Sequence, residues 1–178
     1  MSVTTPNTRP AVAATGPAPQ DVRARYFNVY RLAAYFSVFY TLGHTLGAVV
    51  ATPNFGSESD SVVSAMKSVH VVSQGFDCTW YGFYRGMGGI VSLFFIFSTV
   101  MTWHLGGMTA GDRRAFASVT WALFLTWAAS ISIVWAYFFS LPIFFSTVIT
   151  VLVGIGCIRD WKAGRKSTAG NTANRQTT

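Results

Sequence analysis

Acidic side chains are scarce in this sequence. Asp and Glu number six in 178 residues. Asp21, Glu58, Asp60, Asp77, Asp112 and Asp160 all lie at or outside the edges of the apolar runs. A proton-coupled pump or transporter needs ionisable groups inside its spans, so that class is set aside. Charge of either sign is thin, at 11% of residues, where soluble domains carry about 25%. Cysteine is limited to Cys78 and Cys157, and the three histidines, His44, His70 and His104, show no His-x-x-His spacing. Without that spacing or a Cys-x-x-Cys pair, no metal site is expected. No P-loop, no Gly-x-Ser-x-Gly elbow and no strand-borne Gly-x-Gly-x-x-Gly occurs, so no nucleotide or other cofactor is expected. Residues 1–25 hold no apolar core of a signal peptide, and no Asn-x-Ser/Thr sequon marks a glycosylated side.

What is present is apolar surface. Hydrophobic residues make up 51% of the chain and aromatics 16%, and the mean hydropathy is +0.40. The expected fold class is therefore all-α, an integral membrane four-helix bundle. Spans are expected at about 27–50, 81–104, 116–137 and 142–159. The last two come from one apolar stretch, Ala115 to Ile158, far longer than the roughly 20 residues of one crossing. Pro142 is the natural break, because proline pushes the residue before it out of the helical region. Residues 1–25 and 163–178 are rich in small and polar residues without periodicity, and read as disordered tails. The long connector at 51–80 is mildly apolar in its second half and reads as an interfacial helix leading into the second span.

The net charge of +7 has a membrane explanation. Eleven of the thirteen Lys and Arg residues fall on the side shared by both chain ends in a four-span layout, and only Lys67 and Arg85 fall opposite. That asymmetry places both termini in the cytoplasm. No compact basic face is left for a nucleic acid, and none is expected as a partner. The same layout puts Cys78 and Cys157 on opposite sides of the bilayer, out of disulfide range.

Two stretches concentrate the polar groups. In the first span, Ala34, Ser37, Thr41, His44 and Ala48 recur at helical spacing and form one small, polar stripe. His44 should then face the bundle, and its neighbours Gly43 and Gly47 should let another helix come close. The second stretch, "DCTWYGFYRGMGG" (77–89), opens the second span. If the helix is continuous from the connector, His70, Gln74, Asp77, Tyr81, Tyr84 or Arg85, and Gly88 share a face. Arg85 would then pair with Asp77 across Tyr81, one turn inside the apolar boundary. Gly82, Gly86 and Gly89 offer a close-approach surface, for helix-mediated oligomers among other uses. The plainer account has His44 as a packing histidine and Arg85, with the tyrosines, as an interfacial anchor.

"GHT" (Gly43 to Thr45) and "FYRG" (Phe83 to Gly86) resemble elements of a group of small four-helix membrane proteins of uncharacterised activity. The resemblance implies a fold and no activity. In layout the chain is also similar to four-span sterol isomerase-like enzymes, although their intramembrane acids are missing here. Two functions follow. One is a small membrane hydrolase, isomerase or cyclase acting on a lipophilic substrate in the outer-leaflet half of the bundle. In it Asp77 or His44 is general base, Arg85 holds Asp77, and Tyr81 or Tyr84 donates to a developing oxyanion. The other is a non-catalytic lipid-binding, scaffold or assembly subunit.

Overall fold

The computed structural model describes residues 28–51 and 56–175, with side chains as far as 165. Helix α1 (Val29–His44) continues as a π-helical turn, Thr45–Val50. Helix α2 (Ser57–Ser68) leads to the strands β1 (His70–Ser73) and β2 (Phe76–Thr79). Then follow α3 (Trp80–Gly107), α4 (Ala110–Ala115), α5 (Ala117–Tyr137) and α6 (Ser140–Arg175). Four segments are long and apolar enough to cross a membrane: span 1 (Val29–Val50), span 2 (Trp80–Gly107), span 3 (Ala117–Tyr137) and span 4 (Ser140–Arg165). The fold is an all-α membrane bundle with one small hairpin added.

Local chemistry sets the boundaries. Asn28 caps α1 by accepting from the Arg31 amide at 3.0 Å, while its own amide donates to the Gly106 carbonyl at 2.6 Å, joining the start of span 1 to the end of span 2. Thr79 caps α3 by accepting from the Gly82 amide at 3.0 Å. Thr109 and Asp112 form a reciprocal capping box on α4. Pro142 sits in the first turn of α6, where its missing N–H would have had no partner in any case. The expected break between spans 3 and 4 therefore falls at residues 138–139, within a few residues of the proline.

The reading of the connector needs revision. The 70–79 stretch is a β-hairpin rather than the tail of an interfacial helix. Its β-branched "HVVS" strand pairs antiparallel with "FDCT". The turn holds Gln74 at φ 53° and Gly75 at φ 81°, the two positive values that a tight hairpin turn requires. At the other end of the chain, α6 continues as helix to Arg175, beyond the span expected at about 142–159. The expected tail at 1–25 lies outside the described residues, as do 176–178.

Span 1 packs against spans 2 and 4, and span 3 packs against span 4. Helices in lipid gain little from hydrophobic burial against each other, so close packing and polar contacts carry the association. The expected stripe on span 1 does this. Ala34, Ser37 and Thr41 are buried. Thr41 meets Thr99 at 3.2 Å, and Thr45 donates to Ser92 at 3.1 Å. Gly106 is the span 2 glycine that span 1 crowds, since a Cβ there would lie 2.8 Å from Arg31 Cγ, whereas one at Gly88 would make only an ordinary contact, 3.5 Å from the Ala48 carbonyl. Gly43, Gly47, Gly86 and Gly89 have nothing within 4 Å of a would-be Cβ, so the approach expected of Gly43 and Gly47 does not occur within the chain.

The buried core gathers Tyr30, Ala33, Leu105, Trp127, Ile149, Val153 and Cys157. At the end holding the start of span 1 and the end of span 4, three polar groups lock together. Tyr30 donates its hydroxyl to Asp160 at 2.9 Å, and Arg113 donates to the same carboxylate oxygen at 2.8 Å. Arg113 also donates to the Met108 carbonyl at 2.5 Å. This network ties the start of span 1 and the end of span 4 to the short α4.

Candidate functional site

The five residues singled out in the sequence separate into two groups. Asp77 lies on β2 and pairs with His70 across the hairpin at 2.6 Å, with both side chains more than half exposed. It is not the partner of Arg85. The continuous helical face needed for that pairing is interrupted by the hairpin turn, and Asp77 follows the strand's two-residue alternation instead. Arg85 donates to the carbonyl of Val49, at the end of the π-helical turn of span 1. The last carbonyls of a helix have no partner within it, and a cation there is doubly favourable.

Tyr81 lies between two cations. The Lys67 ammonium is 5.0 Å from its ring centroid and the Arg85 guanidinium carbon 5.8 Å. Tyr84 is exposed. His44 faces span 2 as expected, with Nε2 3.3 Å from the Gly88 carbonyl and its ring edge-on to Phe95 at 5.0 Å. A carbonyl only accepts, so Nε2 carries the proton in this contact. The structure thus brings Tyr81 together with Arg85, and His44 with Gly88. The two ion pairs among the described residues, His70–Asp77 and Arg113–Asp160, involve neither His44 nor Arg85. The contacts of His44 and Arg85 tie the C-terminal half of span 1 to the N-terminal half of span 2.

His44 also borders a concave feature of the spans. Spans 2 and 3 do not pack closely along their lengths, and a cleft of about 600 Å³ opens between them. Its walls include Phe94, Phe97, Met101, Leu123, Ile133, Val134 and Phe138, with Tyr40 and His44 of span 1 behind. Several rim residues, Phe94, Phe97, Ile133 and Phe138, are at least half exposed. One polar bridge crosses the back: the Trp127 indole donates to Ser98 at 2.8 Å and stacks on Phe95 at 5.8 Å between centroids. The other hydroxyls on the walls are turned to their own helix. Thr126 donates to the Ala122 carbonyl at 2.9 Å, Ser130 to Thr126 at 2.8 Å, and Ser146 to Pro142 at 2.8 Å. The rest of the wall is mostly hydrocarbon, with the Tyr40 hydroxyl and the His44 ring as further polar groups along it.

In the sequence, Trp121, Trp127 and Trp135 could wall an apolar cavity, with core packing the plainer role for any one of them. Ser98 had no signal of its own, because a lone serine in an apolar span usually bonds its own helix. The partnership depends on how spans 2 and 3 face each other. No family model, no curated protein and no solved structure matches this chain.

Proposed function

We propose that this chain is a non-catalytic multi-pass membrane protein that holds the hydrocarbon part of a lipophilic molecule in the cleft between spans 2 and 3, with both termini in the cytoplasm. The observation that carries this reading is the wall chemistry. A cleft of about 600 Å³ falls within the range of about 300–1,000 Å³ usual for small-molecule sites. Its mouth opens among exposed apolar side chains of spans 2 and 3, and the hydroxyls of Thr126, Ser130 and Ser146 are spent on their own helices. A polar substrate would lose its water there for few partners, whereas an aliphatic chain gains contact at no such cost.

Catalysis receives less support. General acid–base chemistry requires a group within hydrogen-bond reach of the reacting proton. His44 bonds a backbone carbonyl, Arg85 another, and Asp77 is engaged by His70 on the exposed hairpin.

The test is a cleft-filling substitution. Ala122→Phe adds a ring to the wall of span 3 without touching the Ser98–Trp127 bridge. Lipid extracted from purified wild type should include a stoichiometric lipophilic species, and the variant should retain roughly a tenth of it or less with its melting temperature held. Equal retention by the two proteins sinks the reading.

A further inference from the structure

We propose a second site, for the phosphate group of an anionic phospholipid, in the pocket between α4, span 3 and span 4 at the arginine-rich end of the bundle. This pocket, about 580 Å³, is lined by Arg113, Arg114, Arg165, Asp160, Trp121 and Trp161 among others. It uses a different face of span 3 from the hydrocarbon cleft and does not depend on it.

The charges are unequally committed. Arg113 is held by Asp160 and the Met108 carbonyl, and that pair is mostly buried, at 17% and 15% side-chain exposure. Three arginines face one carboxylate, so the lining keeps an excess of positive charge after the pair is made. Arg114 is exposed and has no carboxylate partner among the described residues. Arg165 lies with its guanidinium carbon 4.8 Å from the Trp161 ring centroid. Stacking on a ring occupies the face of a guanidinium and leaves its in-plane N–H donors free, the geometry that suits a phosphate in bidentate fashion.

Depth favours a lipid over a free anion. Trp121 stands one turn inside the start of span 3, and Trp161 one turn inside the end of span 4. Indole rings at that depth mark the headgroup level of a bilayer. The arginines thus lie where lipid phosphates lie, with apolar wall from Ala117 and the two tryptophans leading toward the hydrocarbon region. Basic pockets between helices on the positively charged side of a membrane protein have the chemistry to hold anionic headgroups.

The experiment uses the full chain in mild detergent and native mass spectrometry, with phosphatidylglycerol and phosphatidylcholine of matched acyl chains as probes. Wild type should retain phosphatidylglycerol over phosphatidylcholine. In Arg114→Ala/Arg165→Ala that preference should fall roughly tenfold or more, since two cations near the surface are lost. Arg159→Ala/Lys162→Ala removes the same charge from the same end but outside the pocket, and should keep the preference. Both altered arginines of the first variant are exposed, so folding should be spared, and equal melting temperatures check this. If the double variant does not fold, Arg114→Gln alone should still lower the preference severalfold. No preference in wild type overturns the proposal, as does an equal fall in both double variants. Displacement of phosphatidylglycerol by inorganic phosphate at equal concentration also overturns it, by assigning the pocket to a free anion.

Discussion

Gly156→Ala should destabilise the bundle, even though alanine is the better helix former. A Cβ at this position in α6 would lie 2.4 Å from Tyr30 Cζ, 2.6 Å from Cε1 and 2.7 Å from the hydroxyl oxygen. Normal carbon contacts begin near 3.5 Å, so the ring must retreat by roughly 1 Å. It has little room, because Tyr30 is 2% exposed and its hydroxyl is bound to Asp160 at 2.9 Å. Overpacking of this kind costs about 1–3 kcal/mol, and stretching a hydrogen bond to a carboxylate adds about 1.5–3 kcal/mol if it breaks. Helix propensity returns at most about 1 kcal/mol. The net loss should be about 2–4 kcal/mol, a fall of roughly 5–15 °C in melting temperature. The assay is thermal unfolding in detergent, with Gly86→Ala as control. Gly86 has nothing within 4 Å, so propensity alone acts there and the control should melt at or slightly above wild type. On a Tyr30→Leu background the cost of Gly156→Ala should largely vanish, because the clashing atoms are gone. A Gly156→Ala protein as stable as wild type, or a cost that persists without the Tyr30 ring, refutes the packing argument.

Asp160→Asn should cost about 2–4 kcal/mol in the same unfolding assay, since it leaves Arg113 mostly buried without its carboxylate. Asp77→Asn should stay within about 1 kcal/mol of wild type, because its partner His70 is exposed. Arg85→Lys should likewise be mild, whereas Arg85→Ala should lose about 1–2 kcal/mol by stranding the Val49 carbonyl; a severe Asp77→Asn defect would restore the pairing of Asp77 with Arg85. In a cysteine-free background, Glu58→Cys and Lys162→Cys should label from opposite sides of the membrane; labelling from one side refutes the four-span topology. Non-reducing mass analysis of wild type should find Cys78 on the hairpin and Cys157 in span 4 unlinked, both being free thiols at opposite ends of the bundle.

The spans were legible because length and hydropathy report directly on a bilayer's thickness, and Pro142 marked the break within the long apolar stretch. The stripe from Ala34 to His44 was legible for a related reason. In a span, small and polar residues are the exceptions, so their 3.6-residue spacing stands out against an apolar background. The hairpin was missed by extending that same spacing through residues 70–79. His70, Gln74, Asp77 and Tyr81 do fall at helical intervals, but the "VHVV" run is β-branched and the Gln74–Gly75 pair supplies the positive φ values of a hairpin turn. Those local signals outweighed a coincidence of polar spacing. The true partner of Arg85 was not legible at all, because it is a backbone carbonyl, and no residue pattern advertises a main-chain oxygen left free at the end of a helix.

The cleft was hidden for a deeper reason. Apolar residues surround each span on nearly every side, so periodicity says which face is polar and little about which helices become neighbours. Neighbour choice rests on a few contacts: the Thr41–Thr99 and Thr45–Ser92 pairs set span 1 on span 2, and the Tyr30–Asp160–Arg113 lock sets it against span 4. Span 3 has no comparable polar seam with span 2. Its link is the Trp127–Ser98 bond, made across a gap by the longest side chain available. A bundle fastened closely along three helix pairs and loosely along the fourth leaves its opening at that fourth seam. The polar contacts inside these spans therefore do more than hold helices together: by where they are and where they are not, they decide which side of the bundle stays open.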